Sequence, residues 1–152
     1  MGGVIAIDPG KRSGVALFRR ALLADDWRLV EALTMIEREI LERPRQLLGD
    51  VLVVIELPVI YPTRKTPPAD LIDLAVMVGD LRGFYRRHGF EVRLVTPRNW
   101  KGTVPKSIHN KRTLAALTPE ERALLPRRPR ARDYDHNMLD AVGLGLWGTK
   151  RT

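Results

Sequence analysis

The sequence predicts an α/β domain with a mixed β-sheet, and three observations support this prediction. Two strand-like apolar runs joined by a tight turn open the chain, at residues 4–7 and 14–18. A continuous β-branched run at 51–55 is typical of a central strand that is covered on both faces. Helical periodicity then alternates with a further strand-like run, which indicates helices layered on a sheet.

The remaining elements are predicted in chain order from hydrophobic periodicity. Two further strands are expected, at residues 27–33 and 90–95. Helices are expected from Ile36 to Leu48 (limited by Pro44), from Leu71 to about residues 88–89, at 106–117, at the capping box Thr118-Pro119-Glu120-Glu121 and near 135–147. Proline and basic residues predict loops at 58–68, 96–105 and 126–132.

Length and residue types limit the class of protein. A chain of 152 residues predicts a single domain over 1–152. No apolar run is long enough to span a membrane. The first predicted strand begins at Gly3 and leaves no room for a signal peptide, so a cytoplasmic location is expected, in the host cell if the protein is viral. The absence of cysteine excludes disulfides and thiolate metal ligands.

The charge balance favours a polyanionic partner. The formal net charge is +8, which suits nucleic acid or an anionic membrane surface. Most of the positive charge is arginine, which makes bidentate contacts with phosphate. A G·C-rich genome or a heat-adapted source also affects arginine usage, so composition alone supports nucleic-acid binding only modestly.

Three acids stand out because apolar elements surround them. Asp8 and Glu56 each end an apolar strand, and Asp140 lies inside an apolar helix. Carboxylates rarely sit within buried elements unless their charge is compensated. Acids from three separate elements can converge to hold hard divalent cations through oxygen, and two such ions would stabilise a phosphodiester during cleavage.

Each acid alone also has a simpler interpretation. Asp8-Pro9-Gly10 is a good turn sequence, Glu56 suits a solvated strand end, and Asp140 could pair with an arginine. The joint order, strand–Asp, strand–Glu and helix–Asp, is what favours a metal site.

Four motifs in this order resemble those of the RuvC family of Holliday junction resolvases. Ile-Ala-Ile-Asp-Pro-Gly at 5–10 is similar to the first motif, and Val-Ile-Glu at 54–56 to the second. His-Asn-Met-Leu-Asp-Ala at 136–141 is similar to the third. Gly-Asp-Leu-Arg-Gly at 79–83 resembles the Gly-x-x-Arg-Gly stretch on a central helix of the family.

The resemblance implies an RNase H-like fold with a five-stranded mixed sheet flanked by helices. It implies Mg²⁺-dependent, symmetric hydrolysis of four-way junctions and other branched DNA by a homodimer. We expect two Mg²⁺ ions per active site, with Mn²⁺ able to substitute, and a water that attacks in line with the leaving 3′ oxygen. Asp8 would bridge the ions, with Glu56, His136 and Asp140 completing the sites.

The sequence departs from the family pattern near the last aspartate. The family usually has an acid, or in some members a histidine, three residues before it, whereas this chain has Asn137 there and His136 one residue earlier. Both can share the helix face of Asp140. His136 is the stronger candidate ligand, since imidazole also manages protons near neutral pH, and Asn137 could offer a neutral oxygen. Alternatively, His136 only caps or packs the helix.

Basic residues after the last strand are candidate phosphate contacts, although a solvated loop is a common alternative. The family carries two functional lysines, one just after its last strand and one opening the next helix. Lys101 and Lys111 match them best, with Lys106 as a near alternative, and would hold the scissile phosphate. Further DNA contacts are expected from Arg98 and Arg112.

The loop after Glu56 contains Tyr61 beside Arg64 and Lys65. An aromatic residue from this region wedges into the junction centre in the resolvases, and Tyr61 is the candidate here. The alternative is a tyrosine that packs the loop onto the domain.

Gly79 and Gly83 lie four residues apart on one face of the long helix. Each costs about 1 kcal/mol relative to alanine in a helix interior. This cost suggests a close backbone approach, either to the sheet or to a second copy of the helix in a dimer.

Three competing functions differ in class. Another RNase H-like or YqgF-like nuclease, acting on RNA or a hybrid, would have the same first motif. A non-catalytic junction-binding module would fit Asn137 in place of the usual acid. The length of the chain disfavours the third, an actin-like ATPase, which needs about two domains' length.

Overall fold

The computed structural model describes residues 2–21, 26–43, 49–59, 67–127 and 134–151. The predicted five-stranded mixed sheet is confirmed, with strand order β3-β2-β1-β4-β5. β1 pairs antiparallel with β2 and parallel with β4, so the first strand lies at the centre of the sheet. The strands are β1 (Gly3–Asp8), β2 (Ser13–Arg20), β3 (Trp27–Met35), β4 (Val51–Glu56) and β5 (Glu91–Val95).

Six helices lie within the described residues. They are α1 (Glu37–Glu42), α2 (Pro68–Arg87), α3 (Pro97–Lys101), α4 (Lys106–Ala115), α5 (Pro119–Ala123) and α6 (His136–Gly148). The capping box at Thr118 is confirmed, with the Glu121 amide donating to the Thr118 hydroxyl at 3.2 Å. No described helix has the length and apolar character needed to cross a membrane.

The prediction that residues 96–105 form only a loop is wrong, because α3 lies within this range. Pro97 occupies the first turn, where its fixed φ suits a helix and its missing N–H costs nothing. Trp100 is buried against the core and holds the short helix in place. Lys101, at the end of α3, is therefore presented by a packed helix.

Two hydrophobic cores cover the two faces of the sheet. Alternation along β1 sends Val4 and Ala6 to one core and Ile5 and Ile7 to the other. The first core contains α6, and the second contains α2. Since side chains at even positions of β1 face α6, the side chain of Asp8 points to the same side.

Glycines bring α6 close to the sheet. A Cβ at Gly145 would lie 2.2 Å from the ring of Phe18, and one at Gly14 would lie 1.8 Å from the carbonyl oxygen of Asn137. Only residues without a side chain permit these approaches. The close packing fixes α6 relative to β1 and β2.

The glycines of α2 do not approach the sheet, so that part of the prediction is wrong. Gly79 and Gly83 are exposed, and a Cβ at either position would meet open space. The sheet-facing side of α2 is formed instead by Val78, Leu81 and Tyr85. The second possibility, contact with another copy of the helix, stays a prediction.

Candidate active site

The two strand-end acids lie side by side at the C-terminal ends of the neighbouring inner strands β1 and β4. Ile7 is the parallel ladder partner of Ile55, so Asp8 and Glu56 follow on neighbouring strands. Both occupy positions whose side chains alternate toward α6, since Val54 belongs to the same core as Ala6. Asp8 is buried, and the Glu56 side chain is 14% exposed.

Asp140, on α6, places a third carboxylate beside these two strand ends. It is 4% exposed, and its Oδ1 has no hydrogen-bond partner among the described residues. Its Oδ2 lies 3.6 Å from Lys101 Nζ and 3.3 Å from Lys106 Nζ. Lys101 Nζ also lies 3.4 Å from Glu56 Oε2, so this ammonium bridges two of the three acids.

The cluster is short of positive charge. Three carboxylates face two ammonium groups, which leaves one net negative charge when all five are ionised. Burial, followed by repulsion from Glu56 and Asp140, raises the pKa of Asp8 well above its ordinary value. Burial likewise raises the pKa of Glu56, against the opposing effects of Lys101 and of the Trp100 hydrogen bond.

Trp100 and His109 border the acids and were not predicted as site residues. The Trp100 indole donates to Glu56 Oε2 at 2.7 Å. His109 lies edge-on to Trp100 at a centroid distance of 4.9 Å, and burial lowers its pKa although Asp140 acts to raise it. His109 is three residues after Lys106 and shares its helix face, a spacing that could have identified it from the sequence.

Solved structures share this architecture over nearly the whole chain. The fowlpox virus Holliday junction resolvase matches with a TM-score of 0.64 at 12% identity, covering 99% of each chain. Thermus thermophilus RuvC matches with a TM-score of 0.62 at 15% identity, covering 95% of this chain and 92% of RuvC. The yeast mitochondrial Holliday junction resolvase Ydc2 matches with a TM-score of 0.62 at 11% identity, covering 97% of this chain and 78% of Ydc2. The chain has the RuvC-type fold.

The predicted RNase H-like fold is thereby confirmed. RuvC and the fowlpox resolvase have also been solved in complex with Holliday junction DNA. No model of a known protein family and no curated protein sequence matches the chain. The likeness to the resolvases therefore lies in the three-dimensional fold.

Within the RuvC-type fold, the two candidate ligands before Asp140 lie at the start of α6. His136 is exposed. His109, on α4, lies within electrostatic range of Asp140, Lys101 and Lys106. The Asn137 amide donates to the carbonyl oxygen of Arg12 at 2.8 Å. The ligand roles of His136 and Asn137 stay predictions.

The two lysines of α4 differ in their position relative to the acids. Lys106 contacts Asp140, whereas Lys111 is exposed and makes no ion pair with a described residue. Five residues of helix separate them, which is a rotation of about 140°. The structure thus brings Lys101 and Lys106 to the acids. The phosphate-binding roles of Lys101, Lys106 and Lys111 stay predictions.

The predicted DNA contacts are only partly described. Arg98 and Arg112 are exposed. Arg112 also lines a cavity of about 300 Å³ together with Lys101 and His109. Tyr61, Arg64 and Lys65 lie outside the described residues, so their predicted roles are not tested.

No three acidic or histidine side chains in the described part of the chain are close enough, as they stand, to hold a metal ion. The Lys101 ammonium between Glu56 and Asp140 accounts for part of this spacing. The donors nevertheless suit a hard cation, since they are carboxylate oxygens, one of them buried and without a partner.

Proposed function

We propose that this protein is a structure-selective endodeoxyribonuclease that resolves Holliday junctions by metal-dependent hydrolysis. The observation that carries the proposal is the convergence of three acids and two lysines at the C-terminal ends of β1 and β4 in a RuvC-type fold. The acids are Asp8, Glu56 and Asp140. Buried acids with perturbed pKa values cluster at functional sites. The positive net charge of the chain fits a DNA substrate.

Asp8, Glu56 and Asp140 are the proposed ligands of Mg²⁺ or Mn²⁺. The unpartnered Oδ1 of Asp140 and the charge deficit of the cluster both favour a cation there. A divalent cation bound there supplies charge stabilisation to the phosphate oxygens and the departing 3′ oxygen. His136 and Asn137 are weaker candidates, because the first is exposed and the second binds a backbone carbonyl.

Lys101 and Lys106 are the proposed phosphate contacts. Because the Lys101 ammonium lies between Glu56 and Asp140, cation binding requires it to move away from them. Its charge is then available to a phosphate oxygen of the cleaved strand. Lys106 is 51% exposed at the first turn of α4 and can reach the same phosphate.

We further propose that α2 forms the contact of a homodimer. Ile72 and Val76 are exposed by 62% and 57%, and Gly79 and Gly83 continue the same exposed face. The spacing i, i+4, i+7, i+11 places all four on one helix stripe, where the two glycines allow two backbones to approach. A two-fold dimer would set two active sites on a two-fold symmetric junction.

The dimer is tested by Val76→Glu, with Val30→Glu on β3 as the matched control at an exposed valine. The mass in solution, measured by light scattering, should fall to that of the monomer for Val76→Glu only. A wild-type protein that is monomeric at all concentrations would refute this part of the proposal.

The activity is tested with a synthetic four-way junction, a linear duplex of matching sequence and an RNA–DNA hybrid. Each is incubated with Mg²⁺, Mn²⁺ or chelator. Paired symmetric nicks that are confined to the junction and absent with chelator support a resolvase. Preferential cutting of the hybrid would instead support another RNase H-like nuclease. Tight junction binding without nicks under either metal would support a binding module.

A further inference from the structure

Asn137 joins the turn between β1 and β2 to the first turn of α6. Its Nδ2 donates to the carbonyl oxygen of Arg12 at 2.8 Å. A carbonyl oxygen can only accept, so the NH₂ side of the amide must face it. The backbone N–H of Asn137 is held separately by the N-cap Asp135 at 2.9 Å. The side chain is therefore anchored at the helix and reaches outward to the turn.

Two glycines leave room for this contact. A Cβ at Gly10 would lie 3.2 Å from Asn137 Nδ2, and one at Gly14 would lie 1.8 Å from the Asn137 carbonyl oxygen. Gly14 is also the antiparallel ladder partner of Asp8. Asp8 is thus connected to Gly14 by strand pairing, and Gly14 closely approaches Asn137, which lies three residues before Asp140 on α6.

We propose that Asn137 is a positioning residue, which fixes the spacing between the Asp8 and Asp140 carboxylates instead of holding a cation itself. The inference rests on the proposed function for its effect on catalysis, but the contact is a property of the fold. Asp8 and Asp140 belong to different elements. Glycine contacts pack α6 on the sheet, and the Asn137–Arg12 hydrogen bond adds a contact at the start of α6, three residues before Asp140. Small changes in the distance between the two acids affect a reaction that needs precise orientation.

The substitution Asn137→Asp separates the two roles of this residue. A carboxylate has no hydrogen to donate, so it would face the Arg12 carbonyl as a second acceptor and weaken the contact. As a cation ligand, in contrast, a carboxylate binds better than a neutral amide. Positioning therefore predicts that Asn137→Asp harms the enzyme, whereas ligation predicts that it does not.

The experiment compares Asn137→Asp, Asn137→Ala and Gly10→Ala with Arg12→Ala, which keeps the accepting carbonyl. Three kinds of measurement are made: kcat and KM on the four-way junction, the Mn²⁺ concentration for half-maximal rate, and amide hydrogen exchange at residues 10–14. Both Asn137 variants should lower kcat by about 10- to 100-fold with the Mn²⁺ requirement unchanged. Exchange in the turn should become faster in both. It should change less in Arg12→Ala, which loses only the longer, exposed contacts of the Arg12 side chain with Thr34.

Gly10→Ala crowds the same amide, so it should have a smaller effect that is not additive with Asn137→Ala. The proposal is overturned if Asn137→Asp keeps the wild-type kcat. It is equally overturned if Asn137→Ala raises the Mn²⁺ requirement while exchange in the turn is unchanged. Should the wild type cut no DNA, the proposed function fails, and the exchange rates alone decide whether Asn137 holds the turn.

Discussion

Two regions of this molecule contain acids with little exposure to solvent, and they differ in how fully the negative charge is compensated. Glu121 is 4% exposed and has all the partners a carboxylate needs. Arg151 donates to both of its oxygens at 2.7 and 2.9 Å, and the amides of Leu29 and Thr118 donate at 2.7 and 2.9 Å. Burial acts to raise the pKa of Glu121, but these hydrogen bonds outweigh burial and lower it.

The side chains of Asp8, Glu56 and Asp140 are also largely shielded from solvent, but their negative charge is only partly compensated. Burial and mutual repulsion raise the pKa of Asp8, and one oxygen of Asp140 has no hydrogen-bond partner in the part of the chain that the structure describes. The comparison teaches that burial alone does not mark an acid as functional. What distinguishes the cluster is that its negative charge exceeds the positive charge of its two lysines. The excess charge lowers the stability of the folded protein and favours the binding of a cation.

The largest expected effect is the loss of activity in Asp8→Asn. Removing a proposed cation ligand should lower the rate of junction cutting about a thousandfold or more, since such a site would contribute several kcal/mol to the transition state. Junction binding should persist, and urea unfolding should show unchanged or higher stability because a repelled charge is gone. Retained cutting would contradict the assignment of Asp8.

The opposite result is expected for Glu121→Gln. Breaking a buried ion pair should lower the free energy of unfolding by about 3 kcal/mol, while activity per folded molecule stays unchanged. Urea titration measures the loss. Glu42→Gln is the matched control at an exposed glutamate and should change stability by less than about 0.5 kcal/mol. Equal losses in both variants would remove the contrast between the two regions.

A smaller effect should separate the two lysines of α4. Lys106→Ala removes an ammonium 3.3 Å from Asp140 and should lower kcat about tenfold or more. Lys111→Ala should mainly weaken junction binding. It should also reduce the slope of the logarithm of the binding constant against the logarithm of the salt concentration by about one. Steady-state kinetics at several salt concentrations would reveal the difference. A larger fall in kcat for Lys111→Ala than for Lys106→Ala would indicate that Lys111 is the lysine that contacts the scissile phosphate.

The smallest effect is the pH dependence of the Glu121 contribution. The folded-state pKa is below the ordinary value of 4.5, so the stabilisation is fully present above 4.5. As the pH falls, the unfolded chain takes up the proton first, and the stabilisation disappears once the pH drops through the folded-state pKa. The difference in unfolding free energy between wild type and Glu121→Gln should therefore shrink as the pH falls below about 4.5. A constant difference would be inconsistent with the lowered pKa.

The sequence predicted the sheet and the three acids because both depend on local patterns. Asp8, Glu56 and Asp140 each follow or interrupt an apolar run, which is visible without a structure. The capping box of Glu121 was visible for the same reason, whereas its partner Arg151 lies 30 residues away. Contacts such as Asn137 with Arg12 join residues 125 positions apart, and no local periodicity encodes them.

The positions of Lys106 and Lys111 relative to the acids could not be predicted from the sequence for a related reason. Both lie on the same helix, and only the packing of α4 against α6 decides which lysine faces Asp140. Trp100 was expected in a loop, although its burial fixes a helix that carries Lys101.

The most direct test of this account is cation-linked stability. Unfolding is measured with and without Mn²⁺ for wild type, Asp140→Asn and Glu121→Gln. At about ten times its dissociation constant, a bound ion raises the free energy of unfolding by about 1.4 kcal/mol. We predict this increase for wild type and Glu121→Gln and its loss in Asp140→Asn. An equal increase in all three, or none in the wild type, would contradict the claim that the carboxylate cluster is a cation site.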